Sequence, residues 1–169
     1  FIEPKTISDF TIGGISGLVT SNGLVNIGAG NFKNVTIGKE TGTGTVTISD
    51  IGTLPAYTTI LKPQGSAVIT GDIHASLLPN RTLVFKTGSL TQNAGKSLTV
   101  DKLLLLGGAT GDFSLTAGTN KITTVAAELE KGLMLTTTDN LAVGTVQDRT
   151  GAPDKDVNGI TAKTGNIKL

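Results

Sequence analysis

No cysteine and no tryptophan occur in this sequence, and histidine, methionine and tyrosine occur once each. Without cysteine, disulfides and thiolate metal ligands are excluded, and His74 alone cannot supply the three or four protein ligands of a zinc centre. Serine, histidine and aspartate are all present, but no spacing ties them into a hydrolytic triad. No catalytic, cofactor or metal residue is therefore assigned. Aromatic side chains make up 4% of the chain, too few for the stacking platforms that bind single-stranded nucleic acid or sugars. Charge is scarce too, at 16% against a usual share of roughly 25%. The 14 Lys+Arg balance 13 Asp+Glu without forming a basic block, so neither nucleic acid nor an anionic membrane is an implied partner. No apolar run approaches the roughly 20 residues of a spanning helix, and no membrane insertion is expected.

Glycine, with 23 copies, and abundant threonine take up the room. Threonine favours strands and glycine supplies turns, so the composition points to an all-β chain. Apolar pairs two residues apart recur along it: Val35/Ile37, Val46/Ile48, Leu83/Phe85, Leu98/Val100, Phe113/Leu115 and Leu133/Leu135, with further pairs at Phe10/Ile12, Val25/Ile27, Leu141/Val143 and Ile167/Leu169. Spacing by two puts both members on one strand face. The residue between them is usually small or polar, as at Thr36, Thr47, Thr99 and Ser114. Many segments restart after about ten residues, and two or three of them make a unit of roughly 20 to 30, the size of a solenoid coil. An antiparallel sandwich fits the periodicity as well.

A second recurrence favours the solenoid. Gly71-Asp72-Ile73, Gly111-Asp112-Phe113 and Gly165-Asn166-Ile167 share a glycine, an Asp or Asn, and then an alternating pair, and Gly30-Asn31-Phe32 begins the same way. Such a pair suits a corner entering a strand, with the Asp or Asn bonding its own backbone. Prolines mark expected loop insertions at 54–65 and 76–81, and a charged one runs from Gln147 to Asn158. Val125 to Lys131 (VAAELEK) reads either as a two-turn helix or as another coil strand.

Four runs carry a resemblance: Gly-Asp-Phe-Ser-Leu-Thr at 111–116, Asn-Leu-Ala-Val-Gly-Thr-Val at 140–146, Asn-Gly-Ile-Thr at 158–161 and Thr-Gly-Asn-Ile-Lys-Leu at 164–169. The stretch resembles the repeats of filamentous-haemagglutinin-type exoproteins, the adhesins exported by two-partner secretion. That resemblance implies a right-handed parallel β-helix, secretion or display on the bacterial cell surface, and attachment to a host or bacterial surface receptor or glycan. It covers about a third of the chain well and the first hundred residues loosely. The charged insertion departs from the family pattern, and the secretion-domain motifs have at best a faint echo at Ser21-Asn22-Gly23-Leu24.

Other chemistries read poorly. Asp72, Asp112 and Asn166 lack the dense Gly-Gly-x-Gly-x-Asp spacing of a calcium roll. Gly95-Lys96-Ser97 ends like a phosphate loop, but the required earlier glycine is Leu90. The threonine rows Thr43/Thr45/Thr47 and Thr136/Thr138, reminiscent of an ice-binding face, do not recur at a constant coil period. The one dense charged group, Asp148, Arg149, Asp154, Lys155 and Asp156, shares a single loop. Paired catalytic carboxylates must stand at fixed separations, so the group reads as a solvated or partner-contact loop.

The expectation is a single all-β segment, residues 1–169, forming part of a longer exported protein. It forms about seven or eight coils of roughly 20 to 25 residues, stacked as a right-handed parallel β-helix. Its function is that of an adhesive or structural stalk rather than an enzyme. Open coil ends expose strand edges, which makes end-to-end self-association into a fibre or surface layer one alternative. A carbohydrate-active β-helix or phage tailspike is the other.

Overall fold

The computed structural model describes residues 10–13, 33–54, 57–74 and 80–169, and among them every regular element is a strand. The first eight are β1 (Phe10–Ile12), β2 (Val35–Gly38), β3 (Thr45–Ile48), β4 (Tyr57–Ile69), β5 (Ile73–His74), β6 (Thr82–Gln92), β7 (Leu98–Gly107) and β8 (Phe113–Leu115). There follow β9 (Lys121–Leu129), β10 (Leu133–Leu135), β11 (Ala142–Val143), β12 (Thr145–Asp148), β13 (Lys155–Asn158), β14 (Ile160–Ala162) and β15 (Ile167–Lys168). Thirteen strands form one sheet system whose ladders are parallel, while β12 and β13 pair with each other antiparallel.

The parallel ladders stack the chain as a β-solenoid of about four turns. On one face Val46, Ala67, Leu90, Phe113 and Leu133 lie in register, at successive steps of 21, 23, 23 and 20 residues. Longer steps flank this regular body: 36 residues from Phe10 to Val46, and 34 from Leu133 to Ile167. These two steps depart from the period of roughly 20 to 25 residues on which the expectation of about seven or eight coils rests. A second face stacks Val35, Thr58, Leu83, Leu103, Val125 and Val143.

Alternation explains the interior. Both members of the Val46/Ile48, Leu83/Phe85, Leu98/Val100, Phe113/Leu115 and Leu133/Leu135 pairs are buried in a single core, while Thr47, Thr99 and Ser114 between them are partly exposed. Because parallel pairing is in register, each aliphatic side chain lies against its counterpart one coil away. The last pairs behave differently: Val143, Ile167 and Leu169 are exposed. Among the described residues no further rung lies over them. Val25/Ile27, Gly30-Asn31-Phe32 and Ser21 to Leu24 fall outside the described residues, as do Pro55 and Pro79.

One open reading is decided and one is corrected. Val125 to Leu129 is not helical: it is the second half of β9, laddered residue by residue onto Leu103 to Gly107. Sheet neighbours on the ladder override the helix propensity of VAAELEK. The 54–65 segment is mostly strand, since β4 runs through it and Pro63 falls in a register shift between Lys62 and Ser66. A bulge is where a ladder tolerates proline.

The Gly-Asp corners also work between coils rather than within one. The Asp50 carboxylate accepts from the Asp72 amide at 2.8 Å. The Asp72 carboxylate in turn accepts from the amide and hydroxyl of Ser97, both at 2.8 Å, and these bonds hold its pKa below the ordinary value. Asp112 likewise accepts from the Gly132 amide at 2.8 Å. Glycine is required beside them: a Cβ on Gly71 would sit 2.2 Å from the Asp50 nitrogen. Gly165 has φ +90 as well as a tight approach to Gly132.

Inside, the fully buried Asn120 closes another corner. Its Oδ1 accepts from the Leu98 amide at 2.9 Å and from Gln92 Nε2 at 2.7 Å. Its Nδ2 donates to Gln92 Oε1 at 3.0 Å and to the Thr136 carbonyl at 3.0 Å. Asn120→Ala leaves the buried Leu98 amide and the Gln92 side chain without these partners. It is expected to destabilise the fold by about 3 kcal/mol, read as a lowered denaturant midpoint with an unchanged slope.

Candidate functional site

Three strands carry apolar residues on both faces. In β6, Leu83 and Phe85 point into the core while Val84 points outward; in β7, Leu103 and Leu105 point in while Leu104 and Leu106 point out; in β9, Val125 and Ala127 enclose the outward Ala126. Val84, Leu104 and Ala126 are in register on successive coils. They form an apolar stripe on the outside of the solenoid, and all three are fully buried.

The β12–β13 hairpin covers that stripe. Its central pair, Val146 and Val157, stand opposite each other and are each 1% exposed, packed with Tyr57, Val84, Leu104, Leu106 and Ala126 in a second hydrophobic cluster. Burying two valines contributes about 1.5–3 kcal/mol each. The charged insertion of 147–158 is therefore an ordered hairpin laid flat on the sheet. The sequence signal for it was the continuous run Leu103–Leu106, since a strand buried on both faces loses its alternation.

Tyr57 fixes the end of the hairpin. Its hydroxyl donates to the Gln147 carbonyl at 3.2 Å and accepts from the Arg149 amide at 2.6 Å. The Arg149 guanidinium stands 5.4 Å from the Tyr57 ring centroid, within cation–π range. Burial pushes the Tyr57 phenol up to about 12, outweighing the bond from the Arg149 amide, which pulls the other way.

The five residues expected in a contact loop are all on or beside this hairpin, in distinct roles. Asp148 accepts from the Thr150 amide at 2.8 Å and so closes the turn. Arg149 donates through Nε to Gln147 Oε1 at 2.8 Å and faces Asp154 at 3.6 Å. Lys155 reaches across to Glu128 on β9 at 2.7 Å. Asp156 stands opposite Gln147 and is exposed. The exposed ion pairs are worth roughly 0.2–1 kcal/mol each, so the valines and Tyr57 dominate docking. His74 lies on a separate face of the solenoid, exposed beside the buried Ile73.

The hairpin divides the outer surface into two clefts. One, of about 410 Å³, is lined by Glu128, Glu130 and Asp148 together with Lys86 and Lys163. There the charges are matched: Lys163 pairs with Glu130 at 2.6 Å, and Lys86 with Glu40 at 3.2 Å. The other, of about 320 Å³, is lined by Lys33, Lys102 and Arg149 with Tyr57, Asn80, Thr82 and Gln147. Among the described residues no group of three His, Cys, Asp or Glu side chains could hold a metal ion.

Replacing Val157 by Asp is expected to undock the hairpin without unfolding the solenoid. Amide exchange protection should vanish over 145–158 and persist in β6, β7 and β9. The Tyr57 phenol supplies a second readout. Below pH 10 it is protonated whether the hairpin is docked or free. Between pH 10 and about 12 only the undocked or unfolded chain releases the proton, so the docked state loses stability as pH rises through that window. The phenolate absorbance should titrate near 12 in the intact protein and closer to 10 in Val157→Asp.

In comparison with known proteins, no family model, no curated protein and no solved structure matches the chain. The β-solenoid arrangement and the docked hairpin are thus read from the chain's own residues.

Proposed function

We propose that this chain is a structural and adhesive segment of a bacterial exoprotein, secreted or held at the cell surface. The solenoid is a stiff spacer, and the docked hairpin is the feature it presents to a host or bacterial surface receptor or glycan. The observation that carries the reading is the hairpin itself: a charged insertion clamped to a continuous sheet by Val146, Val157 and Tyr57. A rigid platform lowers the entropy cost of binding. The filamentous-haemagglutinin-like runs at 111–116, 140–146, 158–161 and 164–169 support the same reading, and a right-handed coil accords with the near-universal hand of parallel crossovers.

The chain is read as a non-enzyme because its clustered carboxylates are engaged in structure. Asp148 closes a turn and Asp154 faces Arg149, which leaves Asp156 alone among the hairpin's carboxylates without such a role. A fibre or surface-layer subunit is the second reading. It is favoured by Met134, Val143, Ile167 and Leu169, whose exposures of 42%, 48%, 44% and 58% form the apolar part of the last rungs.

Beads coated with the chain are expected to stay on epithelial or bacterial cell layers under flow. Val157→Asp should reduce their retention severalfold while the solenoid remains folded. Cleavage of polysaccharide by the chain, or retention no better than with uncoated beads, would overturn the reading. Filaments of the purified chain in electron micrographs would favour the fibre.

A further inference from the structure

We infer that the cleft between the hairpin and β7 binds a carboxylate-bearing sugar residue, such as a uronate in an acidic polysaccharide. This rests on the attachment reading and names the chemistry of what is attached to. Three observations carry it.

The first is charge sorting. The hairpin's two flanks differ: in the larger cleft Glu128 and Glu130 are paired with Lys155 and Lys163, whereas the described residues that line the smaller one include three cations and no carboxylate. The acids beside it are engaged: Asp148, between Gln147 and Arg149, accepts from the Thr150 amide at 2.8 Å. Asp101 accepts from the Asn80 amide at 2.8 Å, and Asp154 is 3.6 Å from Arg149 Nε. Lys102 reaches only a neutral acceptor, Asn80 Oδ1, at 3.4 Å. Arg149 shares Asp154, but Lys33 and Lys102 have no ion pair among the described residues, so the cleft keeps a surplus of positive charge that an anion can neutralise.

The second is the preparation of Arg149. Its Nε is bonded to Gln147 and its plane is held near the Tyr57 ring. The terminal nitrogens make no bond among the described residues, so the fork that recognises carboxylates in bidentate fashion is left for a ligand.

The third is the neutral lining. Asn80, Thr82 and Gln147 offer amide and hydroxyl groups beside the cations, as a polyol requires. A volume of about 320 Å³ equals about ten waters, more room than a bare inorganic anion fills. Asn80 has φ 72, the one positive value outside glycine among the described residues. Asparagine tolerates that conformation, and its amide, donating to the Asp101 carboxylate, fixes Asn80 at the cleft edge, with Arg81 beside it donating to the Leu54 carbonyl.

The test is a titration of the isotope-labelled chain with three probes, followed by amide chemical shifts: a trigalacturonate, a neutral galactose trisaccharide and a glutamate-rich peptide. Trigalacturonate is expected to shift the amides of Asn80, Lys102, Gln147 and Arg149, with a dissociation constant of about a millimolar, and binding should weaken as salt is added. Lys102→Gln should weaken it about tenfold, the scale of one charge-assisted bond. Lys163→Gln, on the opposite flank, should leave it unchanged. Equal shifts from the neutral sugar, a response to the peptide alone, or an unaltered affinity in Lys102→Gln would overturn the inference. Tyr57, the one tyrosine in a chain without tryptophan, reports by its fluorescence that the hairpin stays docked in each variant. Cell retention of coated beads without uronate binding sinks the ligand class alone. Uronate binding without retention keeps the cleft and sinks the attachment reading.

Discussion

In-register parallel stacking is the constraint on which the rest of this structure depends. When a coil lies about 4.8 Å above the last, each residue meets its counterpart one coil away, and the side chain at every position has to suit that neighbour. Val46, Ala67, Leu90, Phe113 and Leu133 satisfy it as one dry column. At the corners the same spacing leaves no room for a Cβ on Gly71, and it brings the Asp50, Asp72 and Asp112 carboxylates to the amides of adjoining coils. Where an aliphatic side chain would leave amides unsatisfied, Asn120 and Gln92 bond each other and the backbone around them.

Stacking has a second consequence on the outer face. A residue that points outward on one coil also lies beside outward residues on its neighbours, so three apolar side chains suffice to make a stripe. Val84, Leu104 and Ala126 do this. Exposed, the stripe would be an apolar patch on a sheet. Covered by Val146 and Val157, it becomes a second, smaller core. The hairpin thus depends on the solenoid's periodicity although its own strands are antiparallel.

The all-β class and the alternating core were legible because strand alternation is local: Leu83/Phe85 or Phe113/Leu115 reveal their buried face without knowledge of their neighbours. The corners were legible in composition but not in geometry, since Asp72 bonds Ser97, a coil away, rather than its own backbone. VAAELEK was ambiguous for the same reason, as its ladder to β7 is a tertiary fact. The residues of the charged insertion were singled out, but not their order, because the partner of the hairpin is an outward stripe on three separate coils. Tyr57 and Lys102 were missed altogether. Each is an ordinary strand residue until the hairpin folds beside it, with Gln147 lying 90 positions along the chain from Tyr57.

The division of labour on the hairpin bears on what its charges are for. Docking is carried by two buried valines and a buried phenol, and the ion pairs to Glu128 and Asp154 add little at their exposure. A hairpin needed only to cover the stripe could have neutral residues at those positions at almost no loss of stability. Instead Lys155 pairs with Glu128 on one side, while Arg149 stands beside Lys33 and Lys102 of the solenoid on the other. Stability does not call for that arrangement; on the proposed reading recognition of an anion does, with the solenoid supplying rigidity and the valines holding the hairpin in place.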